Sequence, residues 1–225
     1  NPQSVPALFL KIDILVGRKS YDDALLVAEK LIQVQPDNAE GYYRKARLLQ
    51  EKGDMESAVS FYEKAVELEP ESNKILTEFI NMEVSAGRLD EAKQHLQKLL
   101  EADVDHPSAN RLLGLVYFRE KDLENAERVF SRQAEISPNN AESYSQLAQT
   151  RIAADNLTGA AEVFEAGLKV LPEDTSLLIG LAGVRERQRN YEAAISLYDE
   201  ILQRQPENAI SINNIAALLA DHRDD

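Results

Sequence analysis

Cysteine is absent from the 225 residues of the chain. Its absence excludes disulfides, thiolate nucleophiles and cysteine-rich zinc sites, although it leaves the redox compartment open. Runs of lysine and arginine are also missing, and 39 acidic against 25 basic residues give a formal charge of −14. Because such an excess repels phosphate backbones, we expect no nucleic-acid partner. No apolar run approaches the roughly 20 residues that span a bilayer, so no membrane span is predicted in this chain.

One alanine recurs every 34 residues along the chain, at Ala24, Ala58, Ala92, Ala126, Ala160 and Ala194. A proline follows in the same register at Pro36, Pro70, Pro138, Pro172 and Pro206, with Val104 in the remaining position. A second small residue recurs at Ala46, Gly114, Ala148, Ala182 and Ala216. Three columns that stay in phase predict six repeated structural units.

Each unit contains two predicted helices. In the second unit, Tyr42, Ala46 and Leu49 fall on one face of a helix, and a second apolar stripe includes Ala58 and Tyr62. Small residues allow two helix backbones to approach closely where they cross. We therefore expect the recurring alanines to be buried packing residues.

Side chains that accept hydrogen bonds precede most of the predicted helices. The first helices of the units follow Asn38, Ser72, His106, Asn140, Asp174 and Asn208, and the second helices follow Ser20, Asp54, Arg88, Asp122, Asn156 and Asn190. All of these except His106 and Arg88 are good acceptors for the free N–H groups of a helix start. His106 is assigned a turn role instead. The recurring prolines should end the preceding helices, because proline cannot donate the next backbone bond.

The 34-residue helix–turn–helix unit, with these small, aromatic and proline positions, resembles the tetratricopeptide repeat family. The resemblance covers units at about 5–38, 39–72, 73–106, 107–140, 141–174 and 175–208, with a partial unit at 209–225 whose helix runs from Ala209 to Asp221. It implies one all-α domain of thirteen helices, a right-handed superhelical solenoid whose first helices line a concave groove. Ile12, Ile80 and Val104 depart from the family pattern at small and proline positions.

Residues suited to catalysis are scattered. His95 and His106 belong to different repeats, and His222 lies in an acidic tail that would bind a divalent cation only weakly. A shared metal site would need distant units to meet, which a solenoid forbids. Neighbouring carboxylates such as Asp22 and Asp23 lack an apolar pocket that would raise a pKa, and no glycine-rich phosphate loop is present. We expect no enzyme activity, no cofactor and no metal site.

The family resemblance also implies which side chains face the groove. The candidate partner-binding residues are Tyr43, Arg44, Arg47, Gln50, Lys74, Thr77, Asn81, Arg111, Leu115, Phe118 and Gln149. The cations of this set predict a basic zone beside aromatic and apolar surface, which would suit an acidic or mixed acidic–apolar peptide. The alternative is that the arginines pair with Glu40, Glu51 and Glu78 and only keep the groove soluble.

Three functions are compatible with these features. The leading hypothesis is a non-catalytic scaffold or adaptor that binds a peptide or protein in its groove. A second is a structural assembly module that forms homo-oligomers through apolar ends, because Ile212 and Leu219 in the last helix and Leu10 and Ile14 in the first face no further repeat. A third makes the chain the regulatory part of a larger enzyme. The sequence does not identify the partner or the pathway.

The ends of the chain bear on origin and location. Residues 211–219 are similar to repeats of bacterial proteins of secretion and exopolysaccharide export systems, which favours a bacterial source. Bacterial cytoplasm, periplasm and an envelope-anchored protein all stay open. Residues 1–6 contain no initiating methionine and no basic start of a signal peptide, so we expect the chain to be part of a longer protein.

Overall fold

The computed structural model of the protein describes residues 4–221. The first three residues and the last four, which include His222, lie outside the described residues. Between residues 4 and 221 the chain forms thirteen α-helices and no β-strand. The all-α prediction and the predicted number of helices are confirmed for this part of the chain.

The helices alternate between first and second members of each repeat. The first helices are α1 (Val5–Gly17), α3 (Ala39–Glu51), α5 (Asn73–Ser85), α7 (Pro107–Glu120), α9 (Ala141–Ala153), α11 (Thr175–Arg187) and α13 (Ala209–Asp221). The second helices are α2 (Tyr21–Val34), α4 (Met55–Leu68), α6 (Leu89–Ala102), α8 (Leu123–Ile136), α10 (Leu157–Val170) and α12 (Tyr191–Arg204). Because α4 and α8 end two residues before Pro70 and Pro138, no helix runs through these prolines.

Side-chain caps explain most of the helix starts. Side-chain oxygens of Asn38, Asp54, Asp122, Asn140, Asn156, Asp174, Asn190 and Asn208 accept backbone N–H bonds from the helices that follow them. Ser20 and Ser72, although suitable by type, form no side-chain cap bond. The assignment of His106 to a turn role needs correction, since its Nδ1 accepts the Ala109 N–H at 3.2 Å. An imidazole nitrogen thus caps α7.

The recurring alanines lie where the repeats pack most closely. All six, at Ala24, Ala58, Ala92, Ala126, Ala160 and Ala194, have no exposed surface. Gly114 in the second small column is also buried, whereas Ala216 on α13 is exposed. The prediction that the alanines of the first column are packing residues is confirmed.

The chain divides into two compact units, Asn1–Ala92 and Lys93–Asp225. In the first unit, consecutive helices from α1 to α5 pack against one another, and in the second the same holds from α7 to α13. A core cluster of the first unit contains Leu8, Ile12, Ala24, Val27, Ala28, Leu31 and Leu48. One of the second unit contains Leu178, Ala182, Ala194, Tyr198, Ile201 and Leu218. The single domain expected over residues 1–225 stays a prediction.

Candidate functional site

A row of buried aromatic rings crosses the first unit. The Tyr43 and Tyr62 ring centroids are 6.2 Å apart, and those of Tyr62 and Phe79 are 5.3 Å apart and stacked. The Tyr62 hydroxyl also donates to Gln50 Oε1 at 3.0 Å. Tyr43 was predicted to offer surface to a partner, but it is only 1% exposed. Packing on this row instead holds its ring in a fixed position.

Tyr43 forms part of the floor of a pocket with a volume of about 250 Å³, which we call the first-unit pocket. Its lining residues are Ile12, Asp13, Val16, Tyr21, Glu40, Tyr43, Arg44, Arg47, Leu48, Glu51 and Lys74. Aliphatic and aromatic side chains from α1, α2 and α3 supply apolar surface, and the charged side chains come from α1, α3 and α5. This combination of apolar surface and a few polar groups is typical of ligand sites in proteins.

Two cations of the pocket lie over the Tyr43 ring. Lys74 Nζ is 4.2 Å and the Arg47 guanidinium carbon 5.9 Å from the ring centroid, which are cation–π distances. Arg47 Nε also pairs with Glu78 Oε2 at 3.3 Å, and Lys74 Nζ with Glu40 Oε2 at 3.4 Å. Both cations are therefore partly neutralised by carboxylates of the chain.

Arg44 is held more firmly than the other two cations. Its Nε pairs with Glu40 Oε1 at 2.8 Å, its Nη1 contacts Asp13, and its guanidinium lies 4.8 Å from the Phe9 ring centroid. Glu51, on the same pocket, forms no ion pair within the described residues. The pairing proposed as the alternative to a basic zone is thus present for Glu40 and Glu78 and not for Glu51.

The Tyr43 hydroxyl is unusual among the polar groups of the pocket. It is buried, and among the described residues it has no partner with hydrogen-bond geometry. Burial, together with the nearby Glu78 carboxylate, raises the pKa of Tyr43 to about 12, while Arg47 acts in the opposite direction. The hydroxyl thus lies between the Glu78 carboxylate and the Arg47 guanidinium, below the exposed surface of the pocket.

The remaining predicted residues of the first unit are less involved. Gln50 is engaged with the Tyr62 hydroxyl, as described above. On α5, Thr77 is half-buried and Asn81 is exposed, and neither lines the first-unit pocket. The structure therefore gathers Tyr43, Arg44, Arg47 and Lys74 at one site.

The other predicted residues belong to the second unit. Arg111 on α7 has Nη1 3.9 Å from Glu142 Oε1. On the same helix Leu115 is 37% exposed and Phe118 is half-buried, and Gln149 on α9 is exposed. The structure thus groups Arg44, Arg47 and Lys74 in the first unit and places Arg111 in the second.

A second groove, of about 600 Å³, lies in the second unit between α6, α7 and α8. Sequence reasoning missed it. The signal that could have revealed it is Asn110, which lines the groove at a position where the other repeats carry Leu8, Tyr42, Leu76, Tyr144, Leu178 and Ile212.

Between residues 4 and 221, no group of three or more His, Asp or Glu side chains is placed to hold a metal ion. None of the helices in that range has the length and apolar character needed to cross a membrane.

The helix pairs, their 34-residue register and the buried small residues define a tetratricopeptide-repeat protein. Residues 24–144, more than half of the chain, match the TPR domain of cytochrome c-type biogenesis protein H, and residues 145–209 match the tetratricopeptide repeat. The chain belongs to the family of cytochrome c-type biogenesis protein H TPR domains. Tetratricopeptide repeats are protein–protein interaction modules, and the chain has the fold of such a scaffold.

Curated relatives are longer proteins. Human protein O-mannosyl-transferase TMTC1 is 24% identical over 202 residues, which are 88% of this chain and 22% of the relative. The probable UDP-N-acetylglucosamine–peptide N-acetylglucosaminyltransferase SPINDLY of Arabidopsis thaliana is 30% identical over 104 residues, or 46% of this chain and 11% of the relative. The chain therefore spans less than a quarter of either protein.

Solved structures share the fold at low sequence identity. The C-terminal part of a TPR repeat-containing protein from Cytophaga hutchinsonii has a TM-score of 0.67 and 19% identity, over 95% of this chain and 88% of that chain. The TPR protein YrrB has a TM-score of 0.54 and 23% identity, over 83% of this chain and 96% of that chain. At these identities the likeness shows the fold alone.

Proposed function

We propose that the chain is a non-catalytic scaffold that holds a segment of a partner protein in the first-unit pocket. The observation that carries the proposal is the position of Lys74 and Arg47 over the Tyr43 ring, which its aromatic neighbours hold in place. Cations held over a fixed ring can bind a ligand without first being ordered. The similar structure of YrrB is described as having an unusual peptide-binding site, which supports peptide binding by this fold.

The pocket favours a peptide with an apolar and an acidic side chain. Arg47 and Lys74 are 54% and 56% exposed, so both keep donors that a ligand can reach. Their pairs with Glu78 and Glu40 are exposed and contribute only about 0–1 kcal/mol each. A ligand carboxylate can therefore replace these internal partners at little cost. Its apolar side chain would contact the aliphatic part of the pocket.

The affinity must come from several contacts together, because each exposed pair is weak. Random peptides selected on the wild-type chain provide the ligands for a test by titration calorimetry. Replacing Arg47 and Lys74 by alanine should weaken binding of the selected peptides by about tenfold. Added salt should weaken wild-type binding as well, since the charges are exposed and screened.

Lys30→Ala with Lys64→Ala is the matched control, because it removes two positive charges from the first unit outside the pocket. These changes should leave binding unaltered. If the selected peptides bind the pocket variant and the control variant equally, the first-unit pocket is not the binding site. Far-ultraviolet circular dichroism of both variants checks that the helices are retained.

Assembly through the ends of the chain is the second candidate. On α13, Ile210, Ile212 and Leu219 are 51%, 45% and 52% exposed, and on α1 Leu10 is 61% exposed. Exposed apolar groups of this kind favour contact with another protein surface. Sedimentation of the wild type and of an Ile212→Asp, Leu219→Asp variant tests this function. A wild type that sediments as a monomer at all accessible concentrations would exclude homo-oligomers.

A regulatory role within a larger enzyme is the third candidate. Its support is the match of 88% of this chain to 22% of a transferase. Under this hypothesis the chain contributes binding, and catalysis belongs to other sequence. The sequence of the complete gene would test it, because the hypothesis requires a catalytic domain beside these repeats.

A further inference from the structure

One first-helix position holds a large apolar side chain in every repeat but one. These residues are Leu8, Tyr42, Leu76, Tyr144, Leu178 and Ile212, and the fourth repeat has Asn110 instead. Asn110 is 5% exposed, and its Nδ2 donates to the carbonyl oxygens of Val104 at 2.9 Å and His106 at 3.1 Å. Its amide is thus committed to the loop before α7. Asparagine is also smaller than the leucine or tyrosine that stands in this register in five of the other repeats.

The groove of about 600 Å³ beside Asn110, which we call the second-unit groove, is lined by apolar as well as polar side chains. Leu113 and Val129 are buried along it, and Leu100 is half-buried. Val104, which occupies the place of the recurring proline, is 67% exposed at its edge. Apolar groups gathered around an open groove favour contact with another molecule, because water leaves the apolar surface when the groove is filled.

Cations line the α8 side of the groove. Arg132 is engaged, since it pairs with Asp105 and, at 3.1 Å, with Glu135. Arg128 is exposed and donates to Asn125 Oδ1 at 3.2 Å, but it forms no ion pair with any residue between 4 and 221. Glu101 lies on the α6 side. In a chain of net charge −14, this side of the groove keeps an exposed guanidinium without a close ion pair next to apolar side chains.

We propose that the second-unit groove is a separate docking site for a partner-protein segment that carries a large apolar side chain and a nearby carboxylate. The apolar side chain fills the space beside Asn110, between Leu113 and Val104. The carboxylate pairs with Arg128, whose planar guanidinium can bind both carboxylate oxygens. Glu101 disfavours the reverse orientation, in which the carboxylate would lie on the α6 side. The site is independent of the first-unit pocket, with which it shares no residue.

Selection of random peptides on a chain that carries Arg47→Ala and Lys74→Ala tests the proposal separately from the first-unit pocket. We expect the selected peptides to combine a large apolar residue with Asp or Glu. Val104→Asp and Arg128→Glu should each weaken their binding by about tenfold in titration calorimetry, because each change places a repelling carboxylate at the site. Both residues are exposed, so both variants should fold.

Val170→Asp and Lys169→Glu are the matched controls, since both residues are exposed on α10, outside the groove. They should leave the affinity unchanged. Asn110→Leu restores the residue type of the other repeats and should also weaken binding by filling the groove. Methyl signals of Leu113 and Val129 should shift when a selected peptide is added to the Arg47→Ala, Lys74→Ala chain.

Several results would overturn the proposal. One is that no peptide is selected; another is that the selected peptides lack acidic residues. Equal binding of the selected peptides to Val104→Asp and to its control Val170→Asp would also overturn the proposal. Because the first-unit pocket is disabled in the selected chain, a negative result here leaves the proposed function of that pocket intact.

Discussion

Replacing Gly114 by alanine should destabilise the protein, although alanine stands in the same register at Ala46, Ala148 and Ala182. A Cβ atom built on Gly114 would lie 2.5 Å from Cε1, 2.7 Å from Cδ1 and 2.8 Å from Cζ of Phe130. These distances are far below van der Waals contact. Phe130 is 1% exposed, so its ring has little room to turn away.

Two opposing effects determine the size of the change. Alanine in a helix interior is favoured over glycine by about 1 kcal/mol, because glycine loses more backbone freedom on folding. Forcing an extra methyl group into a packed core costs about 1–3 kcal/mol. Since the contact with Phe130 is so close, we expect the steric cost to dominate and the free energy of unfolding to fall by about 1 kcal/mol.

Chemical denaturation followed by far-ultraviolet circular dichroism provides the measurement. Gly183→Ala is the matched control, because Gly183 lies in helix α11 and an added Cβ would meet nothing within 4 Å. The control should gain about 0.5–1 kcal/mol. In a double-mutant cycle with Phe130→Leu, Gly114→Ala should cost less than it does alone. If Gly114→Ala stabilises the chain as much as Gly183→Ala does, the Phe130 ring does not approach Gly114 as closely as described above.

Three further predictions follow from local contacts. Asn156→Ala should cost about 1 kcal/mol in denaturation experiments because it removes the cap bond to Gly159, whereas Ser20→Ala, which removes no cap bond, should cost much less. Hydrogen bonds from Asn125 hold the pKa of Asp122 below its usual range. This carboxylate therefore stabilises the fold above the ordinary Asp pKa, and the stabilisation is lost as pH falls through the lowered pKa. NMR titration of the Asp122 carboxyl carbon should show the lowered pKa, and an unshifted pKa would contradict the cap geometry. Burial raises the pKa of Tyr43 to about 12, against 10.0 for a free tyrosine, so the protein should lose stability as pH rises between these two values. The difference between ultraviolet titrations of the wild type and of Tyr43→Phe should give the ionisation of Tyr43 alone. A normal pKa would mean that the hydroxyl reaches solvent.

Helix positions were predictable because several local signals agree. The 34-residue register, the prolines and the polar residues before each helix all indicate the same boundaries, and α3, α7 and α13 begin at the predicted residues. Cap chemistry was less predictable. The Ser72 side chain forms no cap bond, although serine is a good cap residue, whereas the His106 imidazole accepts a backbone N–H bond from α7. Residue type limits what a side chain can do, while rotamer and burial decide what it does.

The candidate site was predictable only in part. The family register predicted Tyr43, Arg47 and Lys74 as partner-binding residues, and these three residues line one pocket. Sequence could not show that the Tyr43 ring is buried on Tyr62, because that contact joins two helices. Nor could it choose among the possible carboxylate partners of the cations. Ion pairs such as Arg47 with Glu78 join residues of neighbouring repeats, and their geometry depends on how the helices cross.

By itself, the sequence determined the class of structure: an all-α repeat, its period, the helix ends and the residues buried at the crossings. These properties follow from short-range chemistry, since caps, prolines and apolar periodicity act within one or two helical turns. Only the tertiary structure decided which space stays open. Whether Gly114 has room for a methyl group, and whether the volume beside Asn110 is filled, depends on side chains from other helices. A single segment cannot determine the packing around a cavity, because the residues that line the cavity come from several helices.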